Sequence, residues 1–326
     1  MKLIQWSNTD ASYNLAAEEY IFTNLDQHQD YLLLWQNRNA VIVGRHQNTI
    51  EEINQDYVKN HGIQVVRRMS GGGAVYHDLG NLNYSLIVNT QTSLYDFKEL
   101  SLPVVRALQN LGVNAEFTGR NDLVIDGRKI SGAAQMIKQG RLLHHGTLLF
   151  HSDLEMLQKV LTVKFDKIES KGIKSVRSRV TNICDHAPDL TIEGFKIELI
   201  RILQSEQDLT LEDLSREDDL GITALADSKY RTWDWNFGQS PEYNIRKDVR
   251  FNSGGMSIYL TVNKGIIESI HFYGDYFGDG DIEEIEHALQ NTKIQPEAVN
   301  QILLKFDIAS YIHGLTADEL TRFIVD

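Results

Sequence analysis

Between residues 67 and 85 the chain reads Arg67-Arg68-Met69-Ser70-Gly71-Gly72-Gly73-Ala74-Val75-Tyr76-His77-Asp78-Leu79-Gly80-Asn81-Leu82-Asn83-Tyr84-Ser85, with two arginines and three consecutive glycines between strand-forming runs. Glycine has no Cβ, so this backbone can take positive φ and bring its amide groups against a ligand. The arginines add fixed positive charge, and the stretch predicts a turn that holds an anion. The flanks Gln64-Val65-Val66 and Ala74-Val75-Tyr76 favour strands, so the loop joins strand to strand. That argues against a P-loop and against a dinucleotide fingerprint, both of which open a helix. A plain glycine-rich hairpin is the alternative, since glycines also serve ordinary tight turns.

Two further segments point the same way. Thr118–Gly132 alternates apolar and polar residues around Asp126-Gly127, which predicts a hairpin carrying Lys129 at the start of its second strand. Leu143-His144-His145-Gly146-Thr147-Leu148-Leu149-Phe150 predicts another strand with a polar middle. Three polar, glycine-containing insertions in otherwise apolar strands imply one shared pocket.

The rest of the pattern gives a two-part organisation. Residues 12–25 suit an amphipathic helix, and Tyr31–Trp35 and Val41–Val43 suit buried strands. Strands follow at 63–67, 74–77 and 82–88. Ser93 is expected to cap a helix over 94–111, interrupted near Pro103 and ended by Gly112. Strands at 113–118, 123–126, 129–137 and 141–150 come next. Ser152 and Glu155 have capping-box spacing for a helix to about 161, and helices are predicted at 195–205, 210–217 and 223–230. Past Tyr243 the pattern restarts: Met256, Ile258, Leu260 and Val262 alternate with polar neighbours, Asn263-Lys264-Gly265 turns the chain, and Ile266–Phe272 returns. Helices at 281–291, 296–304 and 316–324 complete a small α+β unit. The expected domains are 1–247 and 248–326.

Composition narrows the partners. A chain of 326 residues, 42% hydrophobic, has room for two domains and the apolar content of an ordinary globular protein. No apolar run approaches the roughly 20 residues of a membrane span, and the N-terminus lacks signal-peptide regions, so a cytoplasmic protein off the membrane is expected. The single cysteine, Cys184, cannot form an internal disulfide. Residues 1–204 hold 22 Lys and Arg against 22 Asp and Glu, leaving 10 against 23 in the remainder, which argues against nucleic acid as a partner. A local basic run of Lys164, Lys167, Lys171, Lys174, Arg177 and Arg179 reads equally as a solvated surface.

Five segments, RRMSGGGAVYHDLGNLNYS at 67–85, GRNDLVIDGRKISG at 119–132, HHGTLLF at 144–150, KGIKSVRSRVTNI at 171–183 and WDWNFGQSPEY at 233–243, resemble those of lipoate-protein ligases of the A type. They extend over most of residues 1–245 in the family's order. The resemblance implies an α+β fold: a large N-terminal domain with mixed β-sheets flanked by helices, biotin/lipoate ligase-like, and a small C-terminal α+β domain. It also implies a two-step activity. Lipoate and ATP, with Mg²⁺, give lipoyl-adenylate and pyrophosphate; a lysine of an acceptor then attacks the adenylate. The implied acceptors are lipoyl domains of 2-oxoacid dehydrogenase E2 subunits and/or the glycine cleavage H protein.

The chemistry brings a carboxylate to a phosphate. At 4 Å one charge pair is worth roughly 4 kcal/mol at an effective dielectric of 20, so a fixed cation must sit between the two anions. By resemblance that cation is Lys129, which is expected to contact both lipoate and ATP. Its compact charge and three donors suit bridging better than a guanidinium does. Arg68, Gly73, Ala74, Val75 and Tyr76 match the family's ATP- and adenylate-lining positions. Gly72 and His77 are further expected lipoate contacts, and Trp35, Val43 and Val75 are expected to line a tunnel for the apolar tail. Asp122 and Asn121 offer oxygens suited to Mg²⁺, although Asn-Asp is also good turn chemistry. The histidines show no zinc-site spacing. Where the family commonly has Asn or Ser after Ser-Gly, this chain has Ala133, which puts ligand orientation or acceptor choice in question. Two other readings are a cysteine-dependent octanoyl or lipoyl acyltransferase, for which Cys184 is the sole nucleophile, and a non-catalytic carrier-binding relative, whose expected sign is a lost lysine or arginine.

Overall fold

The structure, a computed structural model, describes residues 1–90, 96–119, 121–161, 180–206, 208–238, 244–251 and 254–325. The chain opens with β1 (Lys2–Gln5), α1 (Ala11–Asn24), β2 (Tyr31–Trp35), β3 (Ala40–Val43), α2 (Thr49–Glu52), α3 (Gln55–Asn60), β4 (Gln64–Arg67), β5 (Val75–His77) and β6 (Asn81–Asn89). It continues through α4 (Phe97–Asn110), β7 (Ala115–Thr118), β8 (Asp122–Ile125), β9 (Arg128–Lys138), β10 (Arg141–Leu149), α5 (Leu154–Val160), α6 (Ile192–Glu206), β11 (Thr210–Leu211), α7 (Arg216–Leu225) and α8 (Trp233–Asn236). A last group holds β12 (Ile245–Phe251), β13 (Gly254–Asn263), β14 (Ile266–Gly274), α9 (Ile282–Leu289), α10 (Pro296–Leu303), α11 (Ile308–Tyr311) and α12 (Ala317–Val325).

Period-2 alternation in the long strands gives the main sheet two apolar faces. Its eight strands run in the order β11-β1-β2-β6-β10-β9-β8-β7, and β1 lies parallel to both its neighbours. Leu32, Leu34, Leu82, Tyr84 and Leu148 point to one face and bury against Val104 and Leu108 of α4 and Phe195 and Leu199 of α6. Leu33, Trp35, Ile87 and Leu143 point to the other, against Leu15, Ala16, Ile21 and Phe22 of α1. Each such side chain contributes about 1.5–3 kcal/mol by leaving water. Ile42 and Val66 join the second core from a three-stranded sheet, β4-β3-β5, in which β3 lies between the other two. The glycine-rich segment therefore is not a hairpin. It carries the chain across the end of β3, from a parallel neighbour to an antiparallel one.

The third sheet, β12-β13-β14, packs Ile258, Leu260, Ile270 and Phe272 against Ile285, Leu289, Val299, Leu303, Leu320 and Ile324 of the last helices, a core of its own. The fold is thus α+β, with a large N-terminal mixed sheet flanked by helices and a small C-terminal domain.

Several local expectations change. Ser93 lies outside the described residues, and α4 is capped by Asp96, whose side chain accepts from Glu99 N. Pro103 sits inside α4 without ending it, because Val104, Val105, Ala107 and Leu108 hold the following turn in the core. Asp153, rather than Ser152, caps α5, accepting from the amides of Glu155 and Met156. No helix spans 210–217: Thr210–Leu211 pairs with β1 at the sheet edge, and the helix starts at Arg216 behind a Ser215–Asp218 capping box. The last helix begins behind a capping box, with Glu319 N donating to Thr316 Oγ1 and Thr316 N to the Glu319 carboxylate.

Candidate active site

Lys129 is placed by a tight hairpin. Asp126 and Gly127 take φ of 51° and 72°, so β9 returns along β8 with Asp122 opposite Gly132. The Lys129 main chain is fixed from the other side, its carbonyl accepting from Thr181 N at 2.9 Å. Its ammonium then lies 2.7 Å from Asp122 Oδ1, over Gly132, where a Cβ would come within 2.6 Å of the Nζ. Asn121 Nδ2 donates to the Ala133 carbonyl at 2.5 Å, and Ala133 N donates to the Asn121 carbonyl at 2.9 Å. Position 133 thus works through its main chain, while its methyl group packs in a small cluster with Phe97, Ala134 and Phe277.

The two arginines of the loop are structural clasps. Arg67, 1% exposed, donates to the carbonyls of Gly44, Arg45, Gln47 and Trp235 and to Thr49 Oγ1, at 2.7–3.0 Å. Trp235 Nε1 returns a hydrogen bond to the Arg67 carbonyl at 2.8 Å, which explains the Trp-rich segment near 233–237. Arg68 donates to the carbonyls of Gly71 and Gly73 at 2.6 and 2.9 Å and to Ser70 Oγ at 3.1 Å. Burial lowers both guanidinium pKa values, to about 10, so both stay charged at neutral pH. The glycines have different duties. Gly71 lies so close to the small domain that a Cβ would run into the Tyr276 carbonyl oxygen; Gly72 takes φ of 91° and donates to that oxygen at 3.4 Å; Gly73 faces open space.

Behind the loop lies a buried polar network with no counterpart in the sequence-level expectations. Ser70 Oγ is 2.6 Å from His145 Nε2, and His145 Nδ1 is 2.8 Å from Glu18 Oε1. Glu18 also accepts from Ser85 Oγ at 2.6 Å, and Ser85 from Trp35 Nε1 at 3.1 Å. A second chain fixes His77. Trp6 Nε1 donates to Asn14 Oδ1, Asn14 Nδ2 to Asn37 Oδ1, and Asn37 Nδ2 to His77 Nδ1, at 2.6, 2.9 and 3.1 Å. His77 Nδ1 is therefore an acceptor and Nε2 carries the proton. Burial, with Arg68 and His145 nearby, lowers the His77 pKa to about 3, so the ring is neutral. Its Nε2 and Asn83 Nδ2 are buried donors without a partner among the described residues.

These groups meet in a cavity of about 430 Å³. Arg68, Gly72, Gly73, Ala74, Val75, His77, Asn121, Asp122 and Lys129 all line it, so the three polar insertions do share one pocket. Tyr76 does not: β5 alternation sends Val75 and His77 toward the cavity, and Tyr76 into the core beside Val41 and Val43, its hydroxyl donating to Asn39 Oδ1 at 2.7 Å. Val43 is in the same core, whereas Trp35 reaches the cavity. Further lining comes from Asn83, His145 and Thr147 and, from the small domain, Arg250 and Asp275. The polar alternation at Asn81, Asn83 and Ser85 was a readable signal for Asn83; nothing in the helical run around Glu18 marked that residue. Cys184 is not part of the lining; its Sγ lies 3.3 Å from His151 Nδ1, and burial raises its pKa. The basic run from Lys164 to Arg179 and residues 239–243 lie outside the described residues. Among the described residues no group of three or more His, Cys, Asp or Glu side chains is placed to hold a metal ion, and no helix is long and apolar enough to cross a membrane.

Comparison with known proteins agrees with this geometry. Residues 10–204 match the lipoyl protein ligase A/B catalytic domain, and residues 240–324 match the bacterial lipoate protein ligase C-terminus. The chain is 44% identical to lipoate-protein ligase LplJ of Bacillus subtilis over 320 residues, 97% of each chain. It is also 44% identical to lipoate-protein ligase 1 of Staphylococcus aureus, over 99% of this chain and 100% of that one. Among solved structures, a lipoate-protein ligase A bound with ATP superposes with a TM-score of 0.65 at 30% identity, covering 73% of this chain and 99% of the other. The lipoate complex of Plasmodium falciparum LipL1 shares the fold along the whole chain, with a TM-score of 0.81 at 24% identity, covering 100% of this chain and 99% of that one. With both domain families matched in order and near full-length identity to named ligases, the chain belongs to the lipoate-protein ligase family of enzymes.

Proposed function

We propose that this enzyme activates lipoate with ATP to lipoyl-adenylate and transfers the lipoyl group to a lysine of an acceptor lipoyl domain. The observation that carries the reading is Lys129: a cation at the wall of a cavity that joins an apolar side, at Trp35 and Val75, to a glycine-rich loop. An archaeal ligase of the same fold has been solved in a system with its E2 lipoyl domain, at 33% identity and a TM-score of 0.66, covering 75% of this chain and 98% of that one. This supports E2 lipoyl domains, which we propose as acceptors in 2-oxoacid dehydrogenases, with or without the glycine cleavage H protein as a further one. We further propose that the enzyme works in the cytoplasm.

In the first step a lipoate carboxylate oxygen attacks the α-phosphorus, the bond to the bridging oxygen breaks, and pyrophosphate leaves with the electron pair. Lys129 screens the two approaching anions. Gly73, Ala74 and Val75 border the adenylate, and Arg68 serves by holding the loop's carbonyls. The apolar chain lies toward Trp35 and Val75, with Gly72 and His77 bordering the lipoate. In the second step the acceptor amine attacks the carbonyl carbon, AMP leaves, and Lys129 steadies the charge developing on the carbonyl oxygen.

Asp122 and Asn121 suit magnesium, a hard cation that takes one or two carboxylates and draws its remaining ligands from phosphate and water. Bound there it would neutralise phosphate charge. Asp122 would then exchange part of its hold on Lys129 for the cation.

We also propose the division 1–247 and 248–326, which falls within β12, a strand whose Ile245 and Val249 already pack on the small core. Mass spectrometry of a lipoyl domain incubated with the enzyme, lipoate, ATP and Mg²⁺ tests the proposal. A single lipoyl addition on one lysine, absent without ATP, is expected; addition without ATP contradicts it.

A further inference from the structure

Three cationic side chains reach the cavity among the described residues: Arg68, Lys129 and Arg250. The first is consumed by Gly71, Gly73 and Ser70, and the second is paired with Asp122. Arg250, on β12 of the small domain, is exposed, and its guanidinium makes no hydrogen bond or ion pair among the described residues. Its strand neighbour behaves differently, for Arg246 is held by Glu51 at 2.9 Å and Asp248 at 3.1 Å. Among the described residues Arg250 is thus the one cavity cation whose planar fork is open, and a guanidinium fork matches phosphate oxygens bidentately. It also faces a cavity bordered by Gly73, at which no atom lies within 4 Å of a would-be Cβ.

A nucleotide triphosphate brings more negative charge than Lys129 can balance while it also steadies the lipoate carboxylate. We propose that Arg250 binds the β- and γ-phosphates of ATP, and so takes the charge that develops on pyrophosphate as the bond from the α-phosphorus to the bridging oxygen breaks. The inference rests on the adenylation reading above. It makes the small domain a contributor to the first step: docked against the loop through Tyr276, it brings Arg250 to the cavity that the triphosphate would enter. Once pyrophosphate has gone, Arg250 has no partner in the cavity, and the small domain loses one reason to stay.

The two half-reactions separate this role from a merely structural one. Arg250→Ala and Arg250→Lys are compared with the parent in three measurements: single-turnover lipoyl-AMP formation as a function of ATP, calorimetric titration with pyrophosphate alone, and transfer to a lipoyl domain from chemically prepared lipoyl-AMP. Loss of a charge-assisted phosphate contact predicts that the alanine variant weakens ATP and pyrophosphate binding by about 10- to 100-fold. Lysine should restore part of it, and transfer from preformed lipoyl-AMP should keep the parent rate. Unchanged ATP and pyrophosphate affinities would overturn the assignment. So would a defect confined to the transfer step, which would place Arg250 against the acceptor instead. If the parent enzyme formed no lipoyl-AMP at all, the adenylation reading would fail, while the pyrophosphate titration would still report on Arg250.

Discussion

The Lys129 ammonium sits 2.7 Å from Asp122 Oδ1 across the β8–β9 hairpin, so the cation best placed for chemistry is held by the side chain best placed for magnesium. Both are about one-third exposed, so the pair contributes little stability of its own. Its value lies in position, and that makes Lys129 separable from folding.

Lys129→Ala should lower lipoyl-AMP formation by about 10²–10³, the scale of losing one preorganised electrostatic donor. Lys129→Arg should recover only part of the rate, because a planar fork cannot bridge the two anions as a point charge does. Rapid quench with radiolabelled ATP, alongside a thermal melt to confirm the fold, checks this. An alanine variant with the parent rate would remove Lys129 from the mechanism.

The small domain is predicted to move. It closes on the large one through Gly72 N to Tyr276 O at 3.4 Å, Gly274 N to His46 O at 2.7 Å and Ile137 N to Asp279 Oδ1 at 3.2 Å. The Arg246–Glu51 pair and the Tyr259 hydroxyl on Glu51 add to the closure. An adenylate must be shielded while it forms and then exposed to a large acceptor, which one closed arrangement serves poorly. The hinge expected near 244–250 falls on β12, whose residues pair along β13 and move with the small domain, so the bending point is expected ahead of Asn244. Gly71→Ala, whose new Cβ meets the Tyr276 carbonyl, should shift the protein toward an open form. Distance labels on the two domains, read with and without lipoate plus ATP, should report at least two separations in the parent. One separation in every state would rule out the hinge.

Cys184→Ser should keep ATP-dependent lipoylation within about twofold, since the thiol is outside the cavity and burial raises its pKa away from thiolate chemistry. The check is the transfer rate together with intact mass. A thioester trapped on Cys184, lost in the serine variant along with transfer, would support the acyltransferase reading instead.

Acid should destabilise the fold through histidines buried in neutral form: His46, where the small domain docks, and His77 and His144 within the large domain. Burial lowers all three to about 3, whereas the unfolded value is about 6.5. The unfolded chain therefore binds more protons than the native state between these values. The stability they provide is complete above pH 6.5 and is lost as pH falls toward 3, at about 1.4 kcal/mol per pH unit for each histidine. Urea melts at pH 7, 5.5 and 4.5 measure the slope. His144→Gln should reduce it, and a flat profile in the parent would contradict the burial of these rings as neutral groups.

The sheets and hairpins were legible because period-2 alternation and turn residues are local signals. The β8–β9 hairpin, the strand at 141–149 and the small domain's β13–β14 pair all emerged near their predicted bounds. The shared pocket was also readable, since each polar insertion interrupted a buried strand. What was hidden depended on partners far away in sequence. Arg67 reads as a ligand-binding cation until the carbonyls of Gly44, Arg45, Gln47 and Trp235 claim it. Glu18 reads as one more helix-surface carboxylate until His145 arrives from β10. Tyr76 and Val43 matched expectations of type and neighbourhood, yet strand alternation turned them into the core. Arg250 carried no local mark, because only the docking of the small domain brings it to the cavity.

Adenylation of lipoate is read out by single-turnover formation of lipoyl-AMP. Enzyme in excess over radiolabelled ATP, with Mg²⁺ and no acceptor, is mixed separately with lipoate, octanoate and biotin. The account predicts a lipoate-dependent burst of labelled lipoyl-AMP with an equal amount of pyrophosphate, discharged when a lipoyl domain is added. Lipoyl transfer with no labelled adenylate, or a burst with biotin but not lipoate, would contradict it.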